Sequence, residues 1–184
     1  QNWKFFNMEK ENCLILLKPD CIRKKLVGKV ISMIEDSFLD IIAIKLVIPS
    51  KELIEKHYPD TIEWLRKLGI KNIESYKKRG LVCDTDPESI GRKVRSELIK
   101  YLTGKQIIAI IIKGDNAIAQ MRKLAGSTEP ISSEPSTIRG KYSTDSYELA
   151  DFYNRPLENI IHVSDSCDSA KEEIKIWFPE LKNE

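Results

Sequence analysis

Apolar positions along the chain fall into two patterns, short continuous runs and stripes at three- to four-residue spacing, which mark strands and amphipathic helices respectively. Asn12 to Leu17 is such a run, closed by Lys18-Pro19-Asp20, and predicts a buried strand that ends at the proline. Leu26, Val27, Val30, Ile31, Ile34 and Phe38 then recur at helical spacing and predict a helix packed on that strand. Ile41 to Ile48, rich in β-branched residues, predicts a second strand stopped by Pro49. Ser50 stands where an N-cap belongs, ahead of a short helix carrying Leu53, Ile54, His57 and Tyr58 on one face. Further on, Thr61 to Leu68 predicts a helix followed by a polar segment. Pro87 opens another helix with a stripe of Ile90, Val94, Leu98 and Leu102.

Gln106 to Lys113 is the strongest strand signal, an Ile-rich run expected in the middle of a sheet. Asp115 or Asn116 caps a helix that turns Ile118, Met121 and Leu124 inward and stops at Gly126. Ser127 to Ser146, rich in Ser, Thr and Pro, reads as a long loop of the kind that carries function. Asn159 to Val163 is a short strand and Ser169 to Phe178 a closing helix. This order predicts an α+β fold with a ferredoxin-like βαββαβ core: an antiparallel four-stranded sheet with helices on its faces, plus helical insertions. One domain over 1–184 is expected, with insertions at about 59–105 and 144–156.

Composition narrows the function classes. Hydrophobic residues make up 41% and charged residues 32%, an ordinary globular mix. The longest apolar run, Ile107 to Ile112, is far short of the roughly 20 residues that span a bilayer, so no membrane span is expected. Gln1 to Lys10 has no apolar core and no small-residue cleavage site, so no signal peptide is expected. Thirty Lys and Arg against 28 Asp and Glu leave a formal charge of +2 with the signs interleaved, and nucleic acid is not an expected partner. Cys13, Cys21, Cys83 and Cys167 show no C-x-x-C spacing and read as free thiols in a reducing, cytoplasmic compartment. With only His57 and His162 present, and neither near another Cys or His at helical spacing, no metal site is expected.

The eight glycines include no pair at G-x-G or G-x-x-x-x-G spacing, which excludes a glycine-built phosphate loop. Any phosphorylated ligand must be held by side chains. In an alternating strand, Ile161 and Val163 face one way and His162 the other. In the helix that follows, Ala170, Glu173, Ile174 and Trp177 share one stripe, so Glu173 points toward the apolar side while Glu172 does not. A carboxylate aimed at a core must be paired or hydrogen-bonded, and His162 is the nearest titratable partner in sequence.

Four segments carry a family resemblance. They are Leu17-Lys18-Pro19-Asp20, Ala125-Gly126-Ser127-Thr128-Glu129-Pro130, Ser136-Thr137-Ile138-Arg139-Gly140 and Asn159-Ile160-Ile161-His162-Val163-Ser164-Asp165-Ser166. In this order the chain resembles the nucleoside diphosphate kinases. The resemblance implies transfer of a γ-phosphate from a nucleoside triphosphate to a nucleoside diphosphate through a phosphohistidine, by a ping-pong route. It implies that His162 is the nucleophile, that Glu173 orients its ring with the help of Ser164, and that Lys18 approaches the transferred group. Tyr58, Arg122, Thr128, Arg139 and Asn159 are the nucleotide-binding positions it implies, with Arg122 and Arg139 presenting planar donor forks to phosphate oxygens. Mg2+ carried by the nucleotide, touching Asp165 through water and taking no direct protein ligand, is also implied, as is a homo-oligomer, a hexamer or tetramer.

The chain departs from the family at Cys21, Val163 and Lys141, where glycine, glycine and aspartate are usual. The family's arginine and base-stacking phenylalanine have no aligned counterpart between Tyr58 and Gln106. Arg66 is the substitute expected for the arginine, and Trp64 or Leu68 for the base cover. Two other classes compete. A catalytically silent kinase-like scaffold or nucleotide sensor would retain binding without exchange. An RNA-binding module of the same fold needs exposed aromatics on its central strands, and Gln106 to Lys113 has none.

Overall fold

The computed structural model describes residues 10–181, so nearly all of the segment read for a leader lies outside the described residues. Four strands, β1 (Glu11–Leu17), β2 (Asp40–Val47), β3 (Ile107–Gly114) and β4 (Ile161–Val163), form one sheet in the order β2-β3-β1-β4. Every neighbouring pair is antiparallel. β1 and β3 lie in the middle because their continuous apolar runs supply side chains for both faces.

The pleat divides those side chains between two cores. Cys13, Ile15, Leu17, Ile110 and Ile112 pack with Val30 and Ile34 and with Met121 on one face. Leu14, Leu16, Ala109 and Ile111 pack with Ile54, Ile99, Leu102 and Trp177 on the other. Helices therefore cover both faces. After β1 come α1 (Pro19–Arg23) and α2 (Val27–Glu35); after β2 come α3 (Lys51–His57), α4 (Ile62–Lys78) and α5 (Pro87–Leu102). β3 is followed by α6 (Ala117–Ala125), α7 (Ile138–Tyr142) and α8 (Tyr147–Phe152), and β4 by α9 (Cys167–Trp177). Caps fall where side-chain oxygens were available: Ser50, Thr61, Asp86, Thr137 and Ser166 each accept a first-turn backbone N–H.

Three elements differ from the sequence expectation. Pro19 does end β1, but it also opens α1, since proline fits a first helical turn. The polar segment after Leu68 is not a break: α4 runs 17 residues, straight through Gly69. Gly69 is there for proximity, because a Cβ at that position would sit 1.7 Å from the Pro87 carbonyl oxygen, and one at Gly91 would sit 2.0 Å from that of Leu65. The Ser, Thr and Pro-rich loop holds a 3-10 turn at Pro130–Ser132 and α7 rather than being wholly irregular.

Candidate active site

A cleft of about 910 Å³ opens where the β4 edge meets α3, α4 and the loop after α6. His162 stands in β4 opposite Leu16 and thus points to the face that carries α3 and α9. Its Nε2 lies 3.0 Å from Glu173 Oε1 on α9. Ser164 Oγ donates to Glu173 Oε2 at 2.5 Å and accepts from the Leu14 backbone N–H at 3.1 Å. An ionised carboxylate only accepts, so Nε2 carries the ring proton and Nδ1 keeps its lone pair. The pairing of His162 with Glu173 anticipated from helical periodicity is what the structure contains.

The turn leading into β4 is strained and heavily braced. Ile160 adopts φ +70°, a rare value for a β-branched residue, at the centre of a γ-turn closed by Ile161 N–H on the Asn159 carbonyl at 2.7 Å. Asp20, fully buried, accepts the Ile160 N–H at 2.9 Å with one oxygen and the Tyr101 hydroxyl at 3.0 Å with the other. Lys18 N–H adds a bond to the Ile160 carbonyl at 2.9 Å. Such a conformation persists only when its surroundings over-determine it, and here they do. Asp20 and Tyr101 were not assigned a role from sequence. The Lys-Pro-Asp element contained Asp20, but only the fold brings it against residue 160.

Lys18 is buried, and its ammonium donates to Asn159 Oδ1 at 2.7 Å. Burial holds its pKa down to about 8, with Asp20 pulling it up and Arg139 pushing it further down. Asn159 Nδ2 donates in turn to the Thr128 carbonyl at 2.9 Å. Arg139 donates to three backbone carbonyls, those of Asn159 (3.2 Å), Gly126 (2.7 Å) and Ile161 (2.8 Å). Three of its five N–H groups thus pin the loops around β4, leaving two for a ligand. Burial, and after it Arg122, lowers its pKa to about 10. Arg122 and Thr128 line the cleft from its exposed side, and Tyr58 from its buried side. All nine residues singled out from sequence border the cleft except Ser164, which sits beneath it holding Glu173. Arg66, by contrast, points away and pairs loosely with Glu88 at 3.8 Å, whereas Trp64 and Leu68 do face the cleft.

His57 lies against His162, ring centroids 4.7 Å apart and nearly perpendicular. The Trp177 indole donates to His57 Nδ1 at 3.2 Å. An indole N–H only donates, so Nδ1 must accept and the proton of His57 sits on Nε2, which is buried without a hydrogen-bond partner among the described residues. Burial, then His162 and Lys18, push the His57 pKa well down and keep the ring neutral. Potential ligand atoms of His57, His162 and Glu173 gather within 4.8 Å. The tautomer of His57 and the hydrogen bond that occupies Glu173 do not suit a resident metal. On the other side Asp165 receives Ser169 Oγ at 2.6 Å and Lys67 Nζ at 3.3 Å, which with Arg122 keep its carboxyl below the usual range.

A histidine backed by a carboxylate, beside a buried lysine and two arginines on a ferredoxin-like sheet, defines an enzyme that handles phosphate groups. A sequence profile described as nucleoside diphosphate kinase matches residues 11–65 and 87–182, and the chain belongs to that family. A nucleoside diphosphate kinase of Pyrobaculum aerophilum is 42% identical over 178 residues, covering 94% of this chain and 97% of its own. One from Methanocaldococcus jannaschii is 33% identical, covering 93% and 95%. Among solved structures, an NDP kinase from Pyrobaculum aerophilum superposes with a TM-score of 0.86 at 40% identity, over 92% of this chain and 96% of that one. A transition-state mimic of the Borrelia burgdorferi nucleoside-diphosphate kinase with vanadate and ADP gives 0.75 at 29% identity, over 97% and 94%. The protein is accordingly a phosphotransferase that moves the γ-phosphate of a nucleoside triphosphate to a nucleoside diphosphate.

Proposed function

We propose that the transfer proceeds in two half-reactions through a phosphate carried on His162 Nδ1. The observation that carries this reading is the Glu173 contact at Nε2, which leaves Nδ1 as the nitrogen with a free lone pair. In the first half-reaction Nδ1 attacks the γ-phosphorus, the bond to the β–γ bridging oxygen breaks, and the nucleoside diphosphate departs. In the second, a terminal oxygen of the acceptor diphosphate attacks the phosphohistidine and Nδ1 regains its lone pair. Glu173, steadied by Ser164, balances the positive charge that grows on the ring as the N–P bond forms. Lys18 and the spare donors of Arg139 and Arg122 neutralise the phosphate oxygens, with Thr128 and Tyr58 adding hydroxyls. Asn159 holds Lys18 and stands near the sugar.

Mg2+, a hard cation that keeps several waters, would arrive on the phosphates and meet Asp165 through one of those waters. The same reading takes the chain as one kinase domain with insertions, working in the cytoplasm as a homo-oligomer, a hexamer or tetramer. Edge strand β2 supports assembly, since Ile42, Ile44 and Leu46 along it and Ile48 just past its end lie half or more exposed. Among the described residues no helix is long and apolar enough to cross a membrane. Incubation with radiolabelled ATP tests the intermediate. Label that is acid-labile, is discharged by GDP and is absent from His162→Ala is the expected result, and an unlabelled wild-type protein overturns it.

A further inference from the structure

Most of α4, the outer wall of the cleft, falls in residues 66–86, which the family profile passes over, whereas the floor in α3, β4 and α9 lies within it. The floor holds a titratable group that the transfer does not use. His57, the last residue of α3, is buried and presses on His162 with its ring nearly perpendicular, the centroids 4.7 Å apart. Trp177, the last residue of α9 and 1% exposed, donates to His57 Nδ1 at 3.2 Å. His57 Nε2 has no partner among the described residues. Buried polar atoms are nearly always paired, so a donor left alone beside the nucleophile needs a reason.

The groups around His57 leave its state to the indole. His162 on β4 and Lys18 at the end of β1 both oppose a positive charge on the ring, adding to the effect of burial. Glu173 on α9 has a ligand atom within 4.8 Å, but its oxygens are taken by His162 Nε2 and Ser164 Oγ. Tyr58, next in the chain, stacks edge-on at 4.6 Å, and Arg95 on α5 stops at the Tyr58 carbonyl, 2.8 Å away. With Nδ1 accepting from Trp177 and Nε2 carrying the proton, neither nitrogen of His57 has a lone pair to offer.

We infer that Trp177 is a positioning residue for phosphoryl transfer: by locking the tautomer of His57 it denies the proton of His162 a second acceptor, so that proton stays on Nε2 with Glu173 and Nδ1 meets the phosphate bare. This rests on the phosphohistidine reading above. His57 contributes a flat, neutral ring for His162 to lie against. Trp177 ensures that this ring never competes with Glu173. Were a nitrogen of His57 to open, His162 could carry its proton on Nδ1 and donate it to His57, and the nitrogen that must attack would be blocked. No proton is gained or lost in that exchange; only its place on the imidazole changes.

The sequence has two histidines, so nitrogen-15 NMR of the full chain resolves both rings, and His57→Phe assigns them by the signal it removes. At about pH 8, where a free imidazole is neutral, both wild-type rings should carry the proton on Nε2. Trp177→Phe should give His57 a mixture of tautomers and move a measurable share of His162 to the Nδ1–H form. Single-turnover phosphorylation of His162 by ATP should then slow about five-fold, the scale of one neutral hydrogen bond, with nucleotide affinity unchanged. Trp177→Phe/His57→Phe removes donor and acceptor together, and should restore the Nε2–H form of His162 and most of the rate. A tautomer of His162 unmoved in Trp177→Phe, or a double variant slower than the single one, overturns the lock. If Trp177→Phe does not fold, the wild-type spectrum still decides: His57 with its proton on Nδ1, or cationic, overturns the lock. A wild-type protein with both protons on Nε2 that never takes phosphate on His162 overturns the phosphohistidine reading, and the lock with it.

Discussion

The floor of the cleft and its outer wall are built on opposite principles. On the floor Lys18, Asp20, Asn159 and Ser164 are buried, and their bonds run to backbone groups, to one another, and to the Tyr101 hydroxyl and the Glu173 carboxylate. On the wall and on the helices behind it stand ion pairs open to solvent, Lys67 with Asp165 beside the cleft and Arg92 with Asp60 and Glu88 outside it. Buried hydrogen-bonded networks fail as units when one member is lost, because the partners are left unsatisfied out of water. Exposed pairs exchange their partner for solvent at little cost. The floor thus sets the position of His162, and the wall is free to change without disturbing it.

The sharpest break of this contrast is at the nucleophile. His162→Ala should lower nucleotide exchange on the order of 10⁴-fold while leaving the melting temperature nearly unchanged, as coupled exchange assays and thermal melts will read. Asp20→Ala comes next, on stability: it strands the Ile160 N–H and the Tyr101 hydroxyl in the core, and urea unfolding should register a loss of about 3 kcal/mol. Ser164→Ala removes a bond to a carboxylate, worth about 1.5–3 kcal/mol, and should slow phosphorylation of His162 by roughly ten- to a hundred-fold in single-turnover experiments.

A pH profile separates floor from wall without mutation. Lys18 titrates at about 8 in the folded protein against a reference value of 10.5, because burial disfavours its charge. Its cation, needed for phosphate, is lost as pH rises through about 8, so kcat/KM for nucleotide should fall on that alkaline limb. Stability moves the other way. Between about 8 and 10.5 the unfolded chain binds more protons at this site than the folded one, so its contribution favours folding increasingly as pH rises. Lys18→Met should remove both effects. The smallest change is expected behind the wall, where Arg92→Ala should cost under about 1 kcal/mol.

Sequence made the floor more legible than the wall, for physical reasons. Alternation in a strand and the stripe on α9 sufficed to aim His162 and Glu173 at each other, because both periodicities are local. The direction of Arg139 was not readable, since its carbonyl partners at 126, 159 and 161 converge only in the folded chain. Arg66 failed for a matter of helical phase: in α4 the cleft-facing positions Trp64, Leu68 and Lys71 follow i, i+4, i+7, and residue 66 lies on the far side. The length of α4 past Leu68 was not readable, because the close packing of Gly69 against Pro87 leaves no mark in the local sequence. α8 hid within a polar stretch too short to show a period.

Gly69 and Gly91 have a further consequence for how such a wall could arise. With each glycine seated on a carbonyl of the opposite helix, α4 and α5 are zipped together just where the additional segment departs and returns. Anything grafted above that seam inherits the stiffness of the sheet below it and behaves as a cantilever rather than a tassel. Lineages could therefore trim or extend this arm turn by turn, altering what the enzyme embraces, with the reacting imidazole insulated from the experiment.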